Sequence, residues 1–291
     1  MNKYNIFEMG DKNSDQLKTC YDIIREKHKE QGNLCVLDTF TELTESRWTI
    51  SVNMRLATIS SFIKYGTYQN VSEFVKEIEK YSDKEQQSSK VPNKPQKTDV
   101  DKRVIFEQTF EFGENFKYGA LNIGGIGVTI YGEFCVIFKR SKVKDYSSLI
   151  FIKKDSVKGD YVDNNGCVDF TKLAQDMANK ENIHLLATIK HEEDLKQISD
   201  SRWSGMLCCD TDYIEAITHN DIIDDHVDIV RISKKDRYEP FKTILDICYD
   251  KDKARNMTEK DKKAIYNHAQ LLREVIDFLA QKKIELEVFD E

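Results

Sequence analysis

The stretch KYGALNIGGIGVTIYGEFCVIF, residues 117–138, is the clearest indication of β-structure in the sequence. Apolar residues flank a glycine-rich segment on both sides, and glycines at these spacings are typical of turns between short strands. The stretch therefore predicts strands at 118–123, 126–131 and 133–138. Gly124-Gly125-x-Gly127 is not a dinucleotide-binding fingerprint, because no helix is predicted to follow it.

The same two-residue periodicity predicts further strands outward from this stretch, at 50–54, 104–112, 148–152, 184–189, 213–218 and 227–232. Apolar residues at helical spacing predict helices at 13–29, 56–65, 71–81, 169–180, 191–198 and 259–284. Gly66 is placed to end the 56–65 helix, and Thr258 with Asp261 forms a capping-box pattern before the last one. Strands mixed with segregated helices indicate an α+β fold.

The chain divides into four predicted segments. Residues 1–83 form a helical N-terminal part that includes the 50–54 strand, and 84–103 form a flexible insertion. Residues 104–238 form a mainly β core, and 239–291 a C-terminal helical segment. The insertion is polar and contains two of the three prolines, which is typical of a linker.

The bulk composition limits the function classes. The net charge of −7 over 291 residues argues against a surface that coats nucleic acid. The sequence predicts no membrane span and no secretion signal, so we expect a soluble, cytoplasmic protein. Its seven cysteines follow no paired spacing and are expected to be reduced thiols. Cys208 and Cys209 point to opposite faces of a strand, so no metal site is predicted there.

Five residues are candidates for a functional site. Arg55 follows a predicted strand and precedes a helix, where its guanidinium could grip a phosphate. Tyr118 and Tyr131 offer aromatic faces, and Gly119 would allow a ligand close to the backbone. Glu215 is a lone carboxylate in the apolar strand YIEAIT. The ordinary alternatives are a surface arginine, a hairpin whose glycines serve turns only, and an outward-facing carboxylate.

The order of these blocks resembles that of bacterial ADP-ribosyltransferase-like families. In those families an Arg near a strand end precedes a helix and a Gly-Tyr segment, here 65–70 (YGTYQN). A later Tyr-Gly-x-Leu block corresponds to 118–121, and an uncharacterised branch carries the fuller Lys-Tyr-Gly-Ala-Leu-Asn. The strand that contains Glu215 is similar to the families' catalytic-Glu strand. This chain lacks the Arg-Pro start and the Thr-Ser continuation, and Tyr213 stands where a second Glu or Gln is common.

The resemblance implies two small antiparallel sheets that form a cleft for NAD. Arg55 would hold the cofactor, Tyr118 or Tyr131 would stack on the nicotinamide, and Gly119 would line the cleft. Glu215 would act at the ribose and stabilise the charge that develops as the nicotinamide leaves. NAD would be the substrate, and ADP-ribose would pass to an unknown protein, nucleic acid or small-molecule acceptor. Some such proteins are toxins or phage-defence effectors.

Two other classes of function remain open. The same fold could be a catalytically silent module that binds a ligand or a partner. A nuclease would need several acidic residues converging with a lysine, and no such spacing stands out. The C-terminal helix carries an apolar stripe, so it should be docked on the domain or shared with a protein partner or a second copy.

Overall fold

A computed structural model describes residues 3–69, 97–163, 165–250 and 255–290. Within these ranges the strands form a single eight-stranded sheet in the order β5-β4-β6-β2-β1-β3-β7-β8. All neighbours are antiparallel except β7 and β8. The strands are β1 Thr49–Met54, β2 Lys117–Asn122, β3 Phe134–Phe138, β4 Leu149–Ile152, β5 Met177–Asn179, β6 Glu215–Thr218, β7 Val227–Ser233 and β8 Glu285–Phe289.

The expected pair of small antiparallel sheets is wrong. Strand β1 pairs with β2 along one edge and with β3 along the other, so it joins the two halves into one sheet. Ser51 is aligned with Ala120 on one side and with Ile137 on the other. The expected two-sheet cleft is therefore absent from the described ranges, and the chain is an α+β fold around one mixed sheet.

The two faces of the sheet carry separate hydrophobic cores, because side chains alternate between the faces along each strand. Ile50, Leu121, Val136 and Phe151 belong to the larger core, which the 14–30, 34–47, 56–65, 183–191 and 259–281 helices cover. The opposite face carries the smaller core, where Phe106 and Phe110 pack with residues such as Ile152 and Ile217.

The described residues form eleven α-helices. They are Ile6–Lys12, Ser14–Glu30, Leu34–Arg47, Leu56–Tyr65, Lys97–Thr109, Arg140–Lys144, Phe170–Gln175, Ile183–His191, Trp203–Leu207, Lys234–Tyr249 and Glu259–Gln281. Within the described ranges, no helix combines the length and apolarity that crossing a bilayer requires.

The strand predicted at 104–112 is wrong, because the chain there belongs to the Lys97–Thr109 helix. Arg103, Phe106, Glu107 and Phe110 lie at helical spacing, and both phenylalanines are buried in the smaller core. Phe106 and Phe110 are four residues apart, a spacing that fits one face of a strand as well as one face of a helix. Of the expected insertion, 97–103 belong to this helix, while 84–96 and the helix predicted at 71–81 lie outside the described residues.

The strands predicted at 184–189 and 126–131 are also wrong. The first is the Ile183–His191 helix, six of whose nine residues are buried because it packs against other helices and the sheet. In the second, the Asn53 side chain replaces strand pairing: it accepts a hydrogen bond from the Val128 N–H and donates one to the Gly132 carbonyl. Gly127 adopts a φ of 78°, where a side chain would also collide with Asn53.

Several local predictions are confirmed. Gly66 takes the left-handed conformation that ends the Leu56–Tyr65 helix. The Thr258 side chain caps Glu259–Gln281, whose Leu272 is buried in the larger core alongside the Leu56–Tyr65 helix. Strand β8, which follows this helix, was not predicted.

Candidate functional site

Glu215 is the best-defined polar group on the face of the smaller core. It is the first residue of β6, where it lies between Ile152 of β4 and Ala120 of β2. Aligned residues of neighbouring strands share a face, so its side chain lies on the same side of the sheet as that of Ala120. Glu215 is only 2% exposed. A carboxylate in such a place needs partners, because burying an unpaired charge is costly.

The loop after β4 supplies some of these partners. Ile152 ends β4 directly opposite Glu215, so the next residues pass over the carboxylate. The Ser156 N–H donates a hydrogen bond of 2.8 Å to Glu215 Oε2. Asp155 holds this loop in shape, because its Oδ1 accepts bonds of 2.8 and 3.1 Å from the N–H groups of Val157 and Lys158. The turn thus presents Asp155 and Ser156 to the start of β6.

Arg103, on the Lys97–Thr109 helix, supplies the counter-charge. Its Nη2 lies 3.4 Å from Glu215 Oε1 and 4.0 Å from Asp155 Oδ1. Its guanidinium carbon lies 3.9 Å from the centroid of the Tyr118 ring. The planar cation is therefore held between an aromatic face and two carboxylates, an arrangement favoured by both ion pairing and cation–π attraction.

Glu107, one helical turn after Arg103, anchors the aromatic side of the site. It accepts a 3.0 Å hydrogen bond from the Tyr118 hydroxyl. Residues four apart lie on the same helix face, so Arg103 and Glu107 reach the same strand, β2. Tyr68 also lies close to Arg103. Burial raises the pKa of the Tyr68 hydroxyl, and the positive charge of Arg103 offsets only part of that rise.

Two tyrosines fix the second carboxylate. The hydroxyl of Tyr131 donates a 2.9 Å hydrogen bond to Asp155 Oδ2, and the Tyr213 hydroxyl donates to the same oxygen. The two hydroxyl oxygens are 3.0 Å apart, and the rings meet edge to face. Asp155 is thereby held rigidly beside Arg103 while its other oxygen organises the loop.

The two carboxyl groups have opposite pKa shifts. Burial raises the pKa of Glu215 to about 7, because the attraction of Arg103 offsets only part of the desolvation and Asp155 adds repulsion. Burial also acts on Asp155, but Arg103, the Tyr213 hydroxyl and the two loop N–H groups outweigh it, and its pKa is lowered. Asp155 is therefore the fixed anion, and Glu215 can change its protonation near neutral pH.

The guanidinium of Arg103 stays charged. Burial lowers its pKa, but Glu215, Tyr118 and Asp155 outweigh that effect and the net shift is upward. Its Nη1 is buried without a hydrogen-bond partner among the described residues. The site as folded therefore contains a planar cation with one unsatisfied donor. Within the described ranges, no group of His, Cys, Asp and Glu is arranged to hold a metal ion.

Three of the five predicted site residues meet in this network. Glu215 and Tyr118 both contact Arg103, and Tyr131 joins through Asp155. Gly119 lies in β2, where a Cβ would come within 2.8 Å of the Ser51 carbonyl oxygen, so strand packing already requires a glycine there. Whether these residues bind a cofactor stays a prediction.

Arg55 occupies a different setting. It is the exposed residue before the Leu56–Tyr65 helix, and its backbone N lies 2.4 Å from where a Cβ on Gly132 would be. The neighbouring Leu56 N–H donates to the Glu133 carboxylate. The cation that contacts Glu215 and Tyr118 is thus Arg103, and a phosphate-binding role for Arg55 stays a prediction.

Sequence reasoning missed Arg103, Asp155 and Ser156. Arg103 lies at the end of the expected insertion, where its helical spacing with Phe106 and Phe110 was the available signal. Asp155 and Ser156 lie three and four residues after the end of β4, but nothing in the sequence indicates that β4 pairs with β6. Only that pairing brings the loop to Glu215.

A cavity of about 600 Å³ lies apart from this network, between the Lys234–Tyr249 and Glu259–Gln281 helices. Its described lining includes Phe134, Ile232 and Leu272, which belong to the larger core on the opposite face of the sheet. The polar contacts of the Glu215 network, and not this cavity, carry the recognisable chemistry.

No protein-family model, curated protein or solved structure matches the chain.

Proposed function

We propose that the chain cleaves the nicotinamide–ribose bond of NAD at Glu215 and transfers ADP-ribose to an acceptor. One observation carries the proposal: a planar cation lies against the Tyr118 ring with its edge on the Glu215 carboxylate. The nicotinamide ring of NAD is also a planar cation, and the ribose attached to it is where a carboxylate is needed. The proposal depends on this site, not on the two-sheet fold that the sequence suggested.

The chemistry assigns one role to each group. The bond between the ribose C1′ and the nicotinamide nitrogen breaks, and its electron pair leaves on the nicotinamide. The ionised carboxylate of Glu215 would stabilise the positive charge that develops on the ribose. Tyr118 would stack on the nicotinamide ring. A nucleophilic atom of the acceptor then bonds to C1′ and releases its proton, and water in that role gives free ADP-ribose.

Asp155 would supply a fixed negative charge and hold the loop after β4 in shape. Its lowered pKa and its hydroxyl and N–H donors make it a fixed negative charge beside the place of the leaving ring. Tyr213 and Tyr131 would hold that charge in place. Arg55, exposed after β1, would contact the pyrophosphate, and Gly119 would keep β2 close to β1 beneath the ligand. We place the activity in the cytoplasm, where the seven unpaired cysteines would stay reduced.

The alternative is a binding module without turnover. The burial of Glu215, at 2% exposure, favours it, because a substrate cannot reach the carboxylate in the conformation described. In that case the ligand would bind and be released unchanged. A role as a toxin or defence effector would be compatible with either function, depending on the acceptor or partner.

Nicotinamide release from NAD tests the proposal. Purified wild-type protein and Glu215→Gln are incubated with NAD, and free nicotinamide is measured by chromatography. Glu215→Gln keeps the acceptor for the Ser156 N–H and removes only the charge. Glu111→Gln, at an exposed position, is the matched control. Release by the wild type and by Glu111→Gln that Glu215→Gln abolishes supports an enzyme, while NAD binding without release supports the module.

A further inference from the structure

The Arg103 side chain lies over Glu215 as the outer member of the ion pair. The side chain is 26% exposed, whereas that of Glu215 is 3% exposed, so the arginine forms the outer layer of the pair. Its helix is held independently: Phe106 and Phe110 are buried in the smaller core, and Glu107 bonds to Tyr118. An outward turn of the Arg103 side chain about its own torsion angles would therefore leave these helix contacts in place.

The closed position is also incompletely satisfied. Nη1 of Arg103 has no hydrogen-bond partner among the described residues, although the atom is buried. A buried donor without a partner loses the water that it had when exposed, which offsets part of the gain from the ion pair. Outward rotation would return this donor to solvent. The contacts thus favour closure without making it permanent.

The place that the guanidinium occupies has the features of a ligand site. The Tyr118 ring lies on one side of this place, and the carboxylates of Glu215 and Asp155 lie at its edge. These groups would recognise any planar organic cation of suitable size. Arg103 supplies such a cation from the chain itself.

We propose that Arg103 is a built-in plug, which occupies the site of a planar cationic ligand and must swing out before that ligand enters. The ligand class follows from the proposed function, on which this inference rests: the cationic nicotinamide ring of NAD. The plug keeps the resting enzyme slow, because only the fraction of molecules with Arg103 outside can bind substrate. If that fraction is one in ten or less, removing the plug raises the rate at low NAD about tenfold or more.

Chemical labelling of Glu215 tests the plug without reference to NAD. A carbodiimide with glycine ethyl ester modifies accessible carboxyl groups, and peptide mass spectrometry identifies which ones. We expect Glu215 to stay unlabelled in the wild type and to be labelled in Arg103→Ala. Lys102→Ala is the matched control, because it removes the adjacent cation of the same helix, whose partner is Asp160. It should behave like the wild type.

A small planar cation should replace the plug. Methylguanidinium is expected to protect Glu215 from labelling in Arg103→Ala, and methylammonium at the same concentration is expected to protect it far less. The two ions carry the same charge, so the difference in protection measures what planarity and stacking on Tyr118 contribute. Arg103→Met, which keeps the length of the stem, serves as the second variant if Arg103→Ala does not fold.

Outcomes for the plug and for the enzyme are separable. If Glu215 stays unlabelled in folded Arg103→Ala and Arg103→Met, another element closes the site and the plug is wrong, whatever NAD does. If Glu215 becomes labelled but NAD cleavage falls below the wild-type rate, Arg103 is part of the substrate site and the plug is again wrong. If Glu215 becomes labelled and neither the wild type nor either Arg103 variant cleaves NAD, the plug stands and the proposed enzymatic function fails.

Discussion

Ile152 and Glu215 are aligned as partners at the ends of two neighbouring strands, the last residue of β4 and the first of β6. This one pairing brings the loop after β4 over the Glu215 carboxylate. It accounts for the Ser156 N–H bonded to Glu215 and for the nearby Asp155, which two tyrosines hold. The site is therefore a product of sheet register more than of any local motif.

The raised pKa of Glu215 predicts a pH-dependent stability. Its pKa is about 7 in the folded state, against about 4.3 in an unfolded chain. The folded state thus binds the proton more tightly, so this contribution to stability is full below about pH 4 and lost as the pH rises through about 7. It amounts to roughly 4 kcal/mol. Urea unfolding across this range should show that fall in the wild type and not in Glu215→Gln.

Asp155 has the opposite shift and sets the control for that experiment. Its lowered pKa gives a contribution that is present above its unfolded pKa and lost as the pH falls through its folded pKa. Both proteins retain this group, so most of its contribution cancels in the difference between their curves. Parallel curves for the wild type and Glu215→Gln would show that Glu215 titrates normally.

Tyr213→Phe should destabilise the protein by about 1–2 kcal/mol, because it removes one of the two hydroxyl donors to buried Asp155. Tyr131→Phe should cost less, since Tyr131 is 44% exposed. The loss of unfolding free energy in the double variant should differ from the sum of the losses in the two single variants, because both hydroxyls bond to Asp155 Oδ2. Urea unfolding measures all three, with Tyr249→Phe at an exposed position as the control. Equal costs at 213 and 249 would contradict the network.

Gly132→Ala should be among the most damaging small substitutions in the chain. A Cβ there would lie 2.1 Å from the Met54 carbonyl carbon and 2.4 Å from the Arg55 nitrogen, so the loop before β3 would have to move away from β1. Gly205→Ala is the matched control: it lies in a helix with nothing within 4 Å of the new atom. We expect several degrees of loss in Tm for the first, and no loss or a gain of about 0.5–1 kcal/mol for the second.

Leu272→Ala should destabilise the monomer by about 2–5 kcal/mol, because Leu272 is 1% exposed in the larger core. Gln270→Ala, two residues earlier on the exposed face, should have little effect. Chemical unfolding gives the change in stability, and sedimentation gives the oligomeric state. Unchanged stability together with dissociation of an oligomer would mean that the stripe serves an interface instead of the core.

Sequence reasoning reached the local features that depend on a single element. The helix ended by Gly66, the Thr258 cap and strands β2, β3 and β7 follow from short-range patterns that tertiary contacts did not override. The prediction of secondary structure from the sequence was wrong where the same residue pattern fits both a helix and a strand. The spacing of Phe106 and Phe110 fits a helix or a strand, and the apolar run at 184–189 fits a buried helix as well as a buried strand.

The site shows the same limit. Glu215 and Tyr118 could be selected because a carboxylate and a Tyr-Gly pair stand out in apolar strands. Asp155 could not, because its importance depends on which strands pair. The helical spacing of Arg103 with Phe106 and Phe110 was visible, but it does not show where that helix docks. The number of sheets was missed for the same reason, since only the central position of β1 joins the two halves.

Nicotinamide release by Arg103→Ala, compared with release by the double variant Arg103→Ala/Glu215→Gln, shows whether the Glu215 carboxylate cleaves NAD once Arg103 is removed. The first variant opens the site, and the second removes only the charge of the carboxylate from the opened site. We expect release by Arg103→Ala about tenfold or more above the wild type at low NAD, and none above background from the double variant. Equal release by the two variants, or none by either, would contradict the claim that Glu215 cleaves NAD.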